Sequence, residues 1–378
     1  MKRSFNNTLF PLVLSGLDGI ISAMPRSVLA INPGSTSTKI AVYEDGIELF
    51  SENEQVTSDL ASSFSSIFAQ LPYREKQLRS ALARRGYDTS RLSLVMGRGG
   101  LLKPLVGGVY RVGPAMLDDL AAARFGEHAS NLGALLADRM AAPLGIGAYI
   151  ADPVVVDELW DVSRVAGHRL FSRRSVFHAL NQKAVARRWC RQEGLPYEKA
   201  RLIIAHMGGG VSVGLHLEGR VVDVNNALDG EGPFSAERSG GLPAGDLARL
   251  CFSGKYSLRQ VLAMVNGKGG LVSLEGTNDL RVIDERIKSG DARAELHFRA
   301  FAYGVAKAIG ALAAAASGNV DAVILTGGIA FSSNMMTNIG EMCKFIAPIA
   351  VYPGEGELEA LAVAGMGVLS GEAAISVY

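Results

Sequence analysis

At 378 residues the chain is longer than one hydrophobic core usually grows, so two domains are expected. Hydrophobic residues at 48% and charged residues at 20% exclude a disordered or fibrous chain, and 38 basic against 37 acidic residues leave no global field to draw it to nucleic acid or to a membrane surface. Cys190, Cys251 and Cys343 are odd in number and form no C-x-x-C pair, which speaks against a disulfide framework or zinc site and for a reducing cytoplasm.

In chain order, Met1-Lys2-Arg3 followed by Leu9 to Leu14 has the outline of a secretory signal. Asp18 interrupts the apolar stretch, Pro11 weakens it, and the run is too short to span a bilayer, so residues 1–23 are read as an unassigned extension upstream of Met24. Val28 to Ile31 is a short apolar strand, Asn32 to Thr38 a turn, and Lys39 to Tyr43 a second strand closed by Glu44-Asp45-Gly46. A Walker A loop needs glycine before the lysine and a helix after it; Thr38 precedes Lys39 and β-branched residues continue, so this is a phosphate hairpin of another kind.

Leu202 to Ala205, the turn at His206 to Gly210, and Val211 to Leu217 repeat that arrangement before Glu218-Gly219. Two strand-turn-strand units of nearly equal size imply a duplication. Phe298 to Ala316 is apolar at helical spacing and predicts a long buried helix. Val323-Ile324-Leu325-Thr326-Gly327-Gly328 is a strand running into a helix that begins near Phe331 or Ser332, a junction that turns backbone N–H groups toward a ligand.

The class is therefore α/β. Duplicated halves that each open with a phosphate-binding β-hairpin resemble the actin-like ATPases, the heat-shock chaperone ATPases and the sugar kinases, with ribonuclease H-like domains and a nucleotide cleft between them. The resemblance implies a first domain over 24–160, a second over 161–354, and a tail over 355–378 that packs back on the first; Leu358, Leu361, Ala362 and Met366 give that tail helical spacing.

Moving a phosphoryl group in such a cleft needs positive charge and donors that offset repulsion between anions. Arg98 in Gly97-Arg98-Gly99-Gly100 stands alone among glycines at a strand end, and Arg238 lies in the glycine-punctuated loop 229–241. Each also reads as an ordinary loop arginine. His178 and His128 stand beside helix starts and would donate to a phosphoryl oxygen, while His206 precedes the second glycine turn; a lone histidine is as readily a structural residue.

Five blocks in order, Ile31 to Lys39, Gly97 to Gly100, Ala205 to Gly210, Asp229 to Ser235 and Leu325 to Ala330, resemble the acetate and butyrate kinase family, its butyrate branch above all. That resemblance implies reversible phosphoryl transfer between ATP and butyrate or another short-chain carboxylate, with Mg²⁺ as cofactor and a homodimer as the assembly. It makes Arg98 and Arg238 the clamp on carboxylate and phosphoryl group, His178 a transition-state stabiliser, and Asp157 the acid that orients one arginine. Asn32 would lie near the metal with Glu357, although Glu355 and Glu359 are close alternatives. Gly34, Ser35, Ser37, Lys39, His206, Gly208, Gly209 and Gly210 would face the phosphates. Asp279, Arg281, Gly327, Gly328, Ile329 and Asn334 would hold the adenosine.

Two departures carry expectations of their own. Gly100 stands where acetate kinases have a branched residue, which would enlarge the acyl pocket. Ala236 replaces an expected proline and would loosen the loop that carries Arg238. From another class, a nucleotide-sensing module would have no use for two arginines aimed at a small anion.

Overall fold

The computed structural model describes residues 25–378; residues 1–23 and Met24 lie outside the described residues. Two sheets organise the chain. The first contains β1 (Ser27–Pro33), β2 (Ser37–Glu44), β3 (Ile47–Gln55), β4 (Leu94–Arg98), β5 (Val109–Arg111) and β6 (Gly147–Ala151). The second contains β7 (Arg201–Met207), β8 (Val211–Leu217), β9 (Arg220–Val224), β10 (Ala322–Gly327) and β11 (Ile349–Pro353). A last strand, β12 (Ile375–Val377), returns to the first sheet, beside β5.

The strand orders carry the duplication. The first sheet reads β12-β5-β6-β4-β1-β2-β3 and the second β11-β10-β7-β8-β9. In both, a central strand pairs antiparallel with the next strand of the chain on one side and parallel with a later strand on the other. β1 is buried along its whole length, as a central strand covered on both faces must be. The β2–β3 hairpin turns through Asp45 and Gly46 and the β8–β9 hairpin through Glu218 and Gly219, all four at positive φ, the backbone that a two-residue turn between twisted strands demands. β2 runs straight through Lys39, so no helix follows the first glycine turn.

Helices fill the faces. Ala292–Ala315 is long and apolar enough to cross a membrane, but Phe298, Phe301, Val305 and Ile309 are spent on the core of the second sheet. It begins earlier than the apolar spacing predicts, because the Asp291 carboxylate accepts from the backbone of Arg293 and Ala294 and adds a polar first turn. Ser333–Cys343 follows β10 with Ser332 as its cap. Glu357–Ser370 lies under the first sheet, with Leu361 and Ala362 among Val28, Ala30, Leu94 and Met96. Gly365 permits that approach; a Cβ there would come within 2.9 Å of Met96 and Val28. The strand after this helix was not legible from its short, exposed sequence.

Candidate active site

The turn after β1 is held from below by Arg74, on the helix Leu71–Arg84. Arg74 has no exposed surface, and its Nη1 donates to the carbonyls of Gly34 (2.9 Å) and Ser37 (3.1 Å) and to Thr38 Oγ1 (2.9 Å). With the Gly34, Ser35 and Ser37 carbonyls pulled inward, Ser35 remains exposed on the turn. Every acceptor Arg74 uses is neutral, and burial lowers its pKa to about 10. No sequence signal marked this arginine; a lone basic residue at helical spacing reads as a solvated face.

Arg98 ends β4. Its Nη1 donates to Glu357 Oε2 at 3.0 Å and Asn32 Oδ1 at 3.1 Å, and Asn32 Nδ2 donates to the same carboxylate oxygen at 2.5 Å. Glu357 opens its helix, 4% exposed, and burial raises its pKa against the pull of Arg98. Arg98 Nε is buried without a partner. An orphaned guanidinium N–H costs about 1–3 kcal/mol unless something accepts it, and an anion would. Lys39 pairs with Glu355 at 2.8 Å across the same cleft.

Arg238 comes from the opposite domain. Its Nη1 donates to the Ala227 carbonyl (2.7 Å) and its Nε to Asn266 Oδ1 (3.1 Å). A Cβ on Gly210 would fall 2.2 Å from Nη1, so that glycine exists to let the guanidinium pass. Burial depresses the Arg238 pKa, Glu237 opposes that shift and Arg98 adds to it. They share a cavity of about 50 Å³ with His128, His178, Leu101, Val154, Val176, Phe177 and Leu228.

The histidines there are neutral. Burial and the two arginines lower His128 to about 4, and its Nδ1 accepts from the Ser130 backbone, which leaves Nε2 to carry the proton. His178 is lowered well below the ordinary histidine value, by burial first and by His206 next. The His178 and His206 rings stack with centroids 3.8 Å apart. His206 is lowered to about 4 by burial, and its Nδ1 meets Asn181 Oδ1 at 2.7 Å.

A wider cleft of about 960 Å³ runs along the second domain, lined by Gly208, Gly209, Asp279, Arg281, Gly328, Ile329 and Asn334. Asp279 caps the helix Leu280–Lys288 and pairs with Arg281 at 2.6 Å. Gly327 serves packing: at φ +92, its Cβ would strike the Met207 carbonyl at 2.3 Å, whereas Gly328 has open space beside it. Asp284, Lys288, Phe331 and Glu237 also line this cleft. Asp284 and Lys288 escaped the sequence reading because they sit on a helix face, where a charged residue reads as solvated.

Three expectations need correction. Asp157 does not pair with Arg98 or Arg238; its carboxylate meets Arg164, the last residue of the short helix Asp161–Arg164, at 2.6 Å, and neither residue lines the shared cavity. Gly100 does not widen the acyl pocket, because a Cβ there would lie 2.5 Å from Asn131 Cα, in packed backbone. Ala236 does not loosen the Arg238 loop: it is buried in the second-domain core, and the neighbouring Ser235 accepts from the Arg238 backbone at 3.0 Å. Gly269 and Gly270 complete the seat, since a Cβ on either would meet the backbone of the loop 235–239 within 2.4 Å.

Two homologous α/β domains with a nucleotide-sized cleft and a cation-lined cavity between them define a duplicated actin-like ATPase fold. Acetate kinase from Porphyromonas gingivalis shares that fold, with a TM-score of 0.72 over 91% of this chain and 100% of that one, at 22% identity. The model of the Acetokinase family matches residues 157–349. Butyrate kinase 1 of Clostridium acetobutylicum is 50% identical over 91% of this chain and 97% of its own length, and butyrate kinase 2 of that organism is 50% identical over 92% and 98%. The chain belongs to the Acetokinase family.

Proposed function

We propose that this chain catalyses reversible phosphoryl transfer between ATP and butyrate, giving butyryl phosphate and ADP. The observation that carries this reading is the convergence of Arg98 and Arg238 on one small cavity whose other walls include Leu101, Val154, Val176, Phe177 and Leu228. Its space of about 50 Å³ admits three to five water-sized groups at roughly 10–15 Å³ each, the scale of a short acyl chain beside the guanidinium pair. The identity to the two clostridial butyrate kinases supports the choice of acyl group.

The acceptor enters ionised, so no side chain has to remove a proton. Arg98 has Nε without a protein partner, and Arg238 anchors through Nε and Nη1, which leaves Nη2 for the anion. These groups hold the carboxylate against the terminal phosphate, and the transferring group passes in line with no phosphoenzyme. His178 and His128 supply neutral N–H donors to its oxygens, a type of contact whose loss costs about 10²–10³ in turnover. Closure of the two domains would exclude water.

ATP fits the wider cleft, its phosphates toward Gly208, Gly209 and Gly210 and the turn of Gly34, Ser35 and Ser37, its adenosine toward Asp279, Arg281, Gly328, Ile329 and Asn334. Mg²⁺ keeps several waters and takes one or two carboxylates alongside phosphate oxygens, so a protein-only cage is not needed. Among the described residues no such cage exists, while buried Glu357, beside Glu355 and Asn32, fits the smaller demand. The ion would neutralise phosphate charge. We further read the protein as a cytoplasmic homodimer; the exposed Val162, Val165, Leu170 and Phe171 on one stretch support a pairing surface.

The test is capture of the acyl phosphate as a hydroxamate with Mg-ATP and acetate, propionate, butyrate, isobutyrate or valerate. Highest kcat/KM on butyrate is expected. No hydroxamate from any acid defeats the kinase reading, and a preference for isobutyrate or valerate replaces butyrate within it.

A further inference from the structure

A row of buried polar side chains leads away from His178 into the second domain. Ser212 and His216 lie on one face of β8, two pleats apart, while Val211, Val213 and Leu215 enter the apolar core on the other. Gln182 comes from the helix Ala179–Glu193, one turn after His178 and on the same side. Gln182, Ser212 and His216 have no exposed surface and Tyr197 is 8% exposed, so every polar atom among them needs a partner.

We propose that Tyr197, His216, Gln182 and Ser212 act as positioning residues that fix the tautomer of His178, so that Nε2 bears the proton presented to the transferring phosphoryl group. The direction of each bond follows from one fixed point. Gln182 Nε2 lies 3.0 Å from the Ser212 carbonyl, which only accepts, so the amide end of Gln182 is settled. Its Oε1 then faces His216 Nε2 at 2.9 Å, and that nitrogen must donate. His216 Nδ1 is left bare and accepts from the Tyr197 hydroxyl at 2.8 Å. The second Gln182 N–H donates to Ser212 Oγ at 2.8 Å. Ser212 Oγ also takes the His178 backbone N–H at 3.5 Å, so both of its lone pairs are used and its proton turns to His178 Nδ1 at 2.9 Å. Nδ1 of His178 thus accepts, and Nε2, without a protein partner, keeps the proton.

Two further features fit this arrangement. A Cβ on Gly214, between Ser212 and His216 on the same face of β8, would fall 2.5 Å from Gln182 Oε1, so only glycine admits the glutamine. Burial, with Lys183 and Arg187 nearby, holds His216 neutral, so it offers one N–H and one lone pair rather than two donors.

Gln182→Glu keeps the shape and reverses the row, because a carboxylate cannot donate to Ser212. Ser212 then donates to residue 182, His178 Nδ1 donates to Ser212, and Nε2 loses its proton. Expected is a fall in kcat of about 10²-fold, the cost of one lost transition-state donor, with the dissociation constant for ATP unchanged. The second measurement is long-range ¹H–¹⁵N correlation on whole protein labelled with ¹⁵N-histidine, with His178 assigned from its absence in His178→Asn. Wild type is expected to show His178 protonated on Nε2 and bare on Nδ1, and Gln182→Glu the reverse. A folded Gln182→Glu protein with wild-type kcat overturns the proposal, as does a wild-type His178 protonated on Nδ1. The wild-type spectrum decides alone if the variant does not fold. The catalytic half rests on the kinase reading, but the tautomer is read without substrate, so failure of the hydroxamate assay in wild type and failure of the row are separate results.

Discussion

Replacing Leu228 by alanine tests whether the acyl chain lies in the cavity between the two arginines. Leu228 is half-buried, follows the Ala227 carbonyl that anchors Arg238, and lines the cavity with Val154, Val176 and Phe177. Leucine to alanine removes three carbons and opens room for two more methylenes of substrate. At about 0.8 kcal/mol per buried methylene, two are worth about 1.6 kcal/mol, or roughly 15-fold in relative kcat/KM. The ratio of hexanoate to butyrate in the hydroxamate assay should therefore rise by about that factor, with acetate little changed and a stability loss of about 1–2 kcal/mol in urea unfolding. A ratio that stays within about twofold of wild type, in a variant that still turns over, means that the chain lies elsewhere and the size argument fails.

Arg98→Ala and Arg238→Ala should each lower kcat by about 10²-fold or more while ATP still binds, as followed by equilibrium dialysis; undiminished turnover in both removes the clamp. Asp157→Asn should leave kcat within about threefold, since its partner is Arg164, and a loss comparable to Arg98→Ala would restore the orienting role withdrawn above. Stability should fall with acid in a defined window. His128 and His206 have folded pKa values near 4 against an ordinary 6.5, so between those limits the unfolded chain binds more protons and stability rises with pH. Thermal midpoints should be flat above about pH 7 and drop as pH goes from 6.5 toward 4; a flat profile through that window would mean that these rings are not buried neutral.

The fold was legible where the sequence repeats itself. Two glycine turns between apolar strands announced the duplicated sheets, because each apolar strand needs burial and the chain must reverse tightly between the two. The two arginines of the shared cavity were legible because each stands among glycines, and Gly210 turns out to be one of the residues that make room. Asp157 was misread because an acid at a strand end says nothing of which arginine the fold brings to it. Gly100 was misread for a related reason: a missing side chain signals space, but the space here is filled by the backbone of Asn131. Arg74, Gln182, Ser212 and Gly214 were invisible, since a buried polar group is recognised by its partners and those come from distant segments.

The bond between Asn32 and Glu357 joins positions 325 apart in the chain. A nascent polypeptide therefore carries its first hairpin with one sheet face uncovered until the helix Glu357–Ser370 has been made. Contacts of such separation slow folding and prolong exposure of apolar surface. The exposure of that sheet face to aggregation or proteolysis ends when the helix beginning at Glu357 docks.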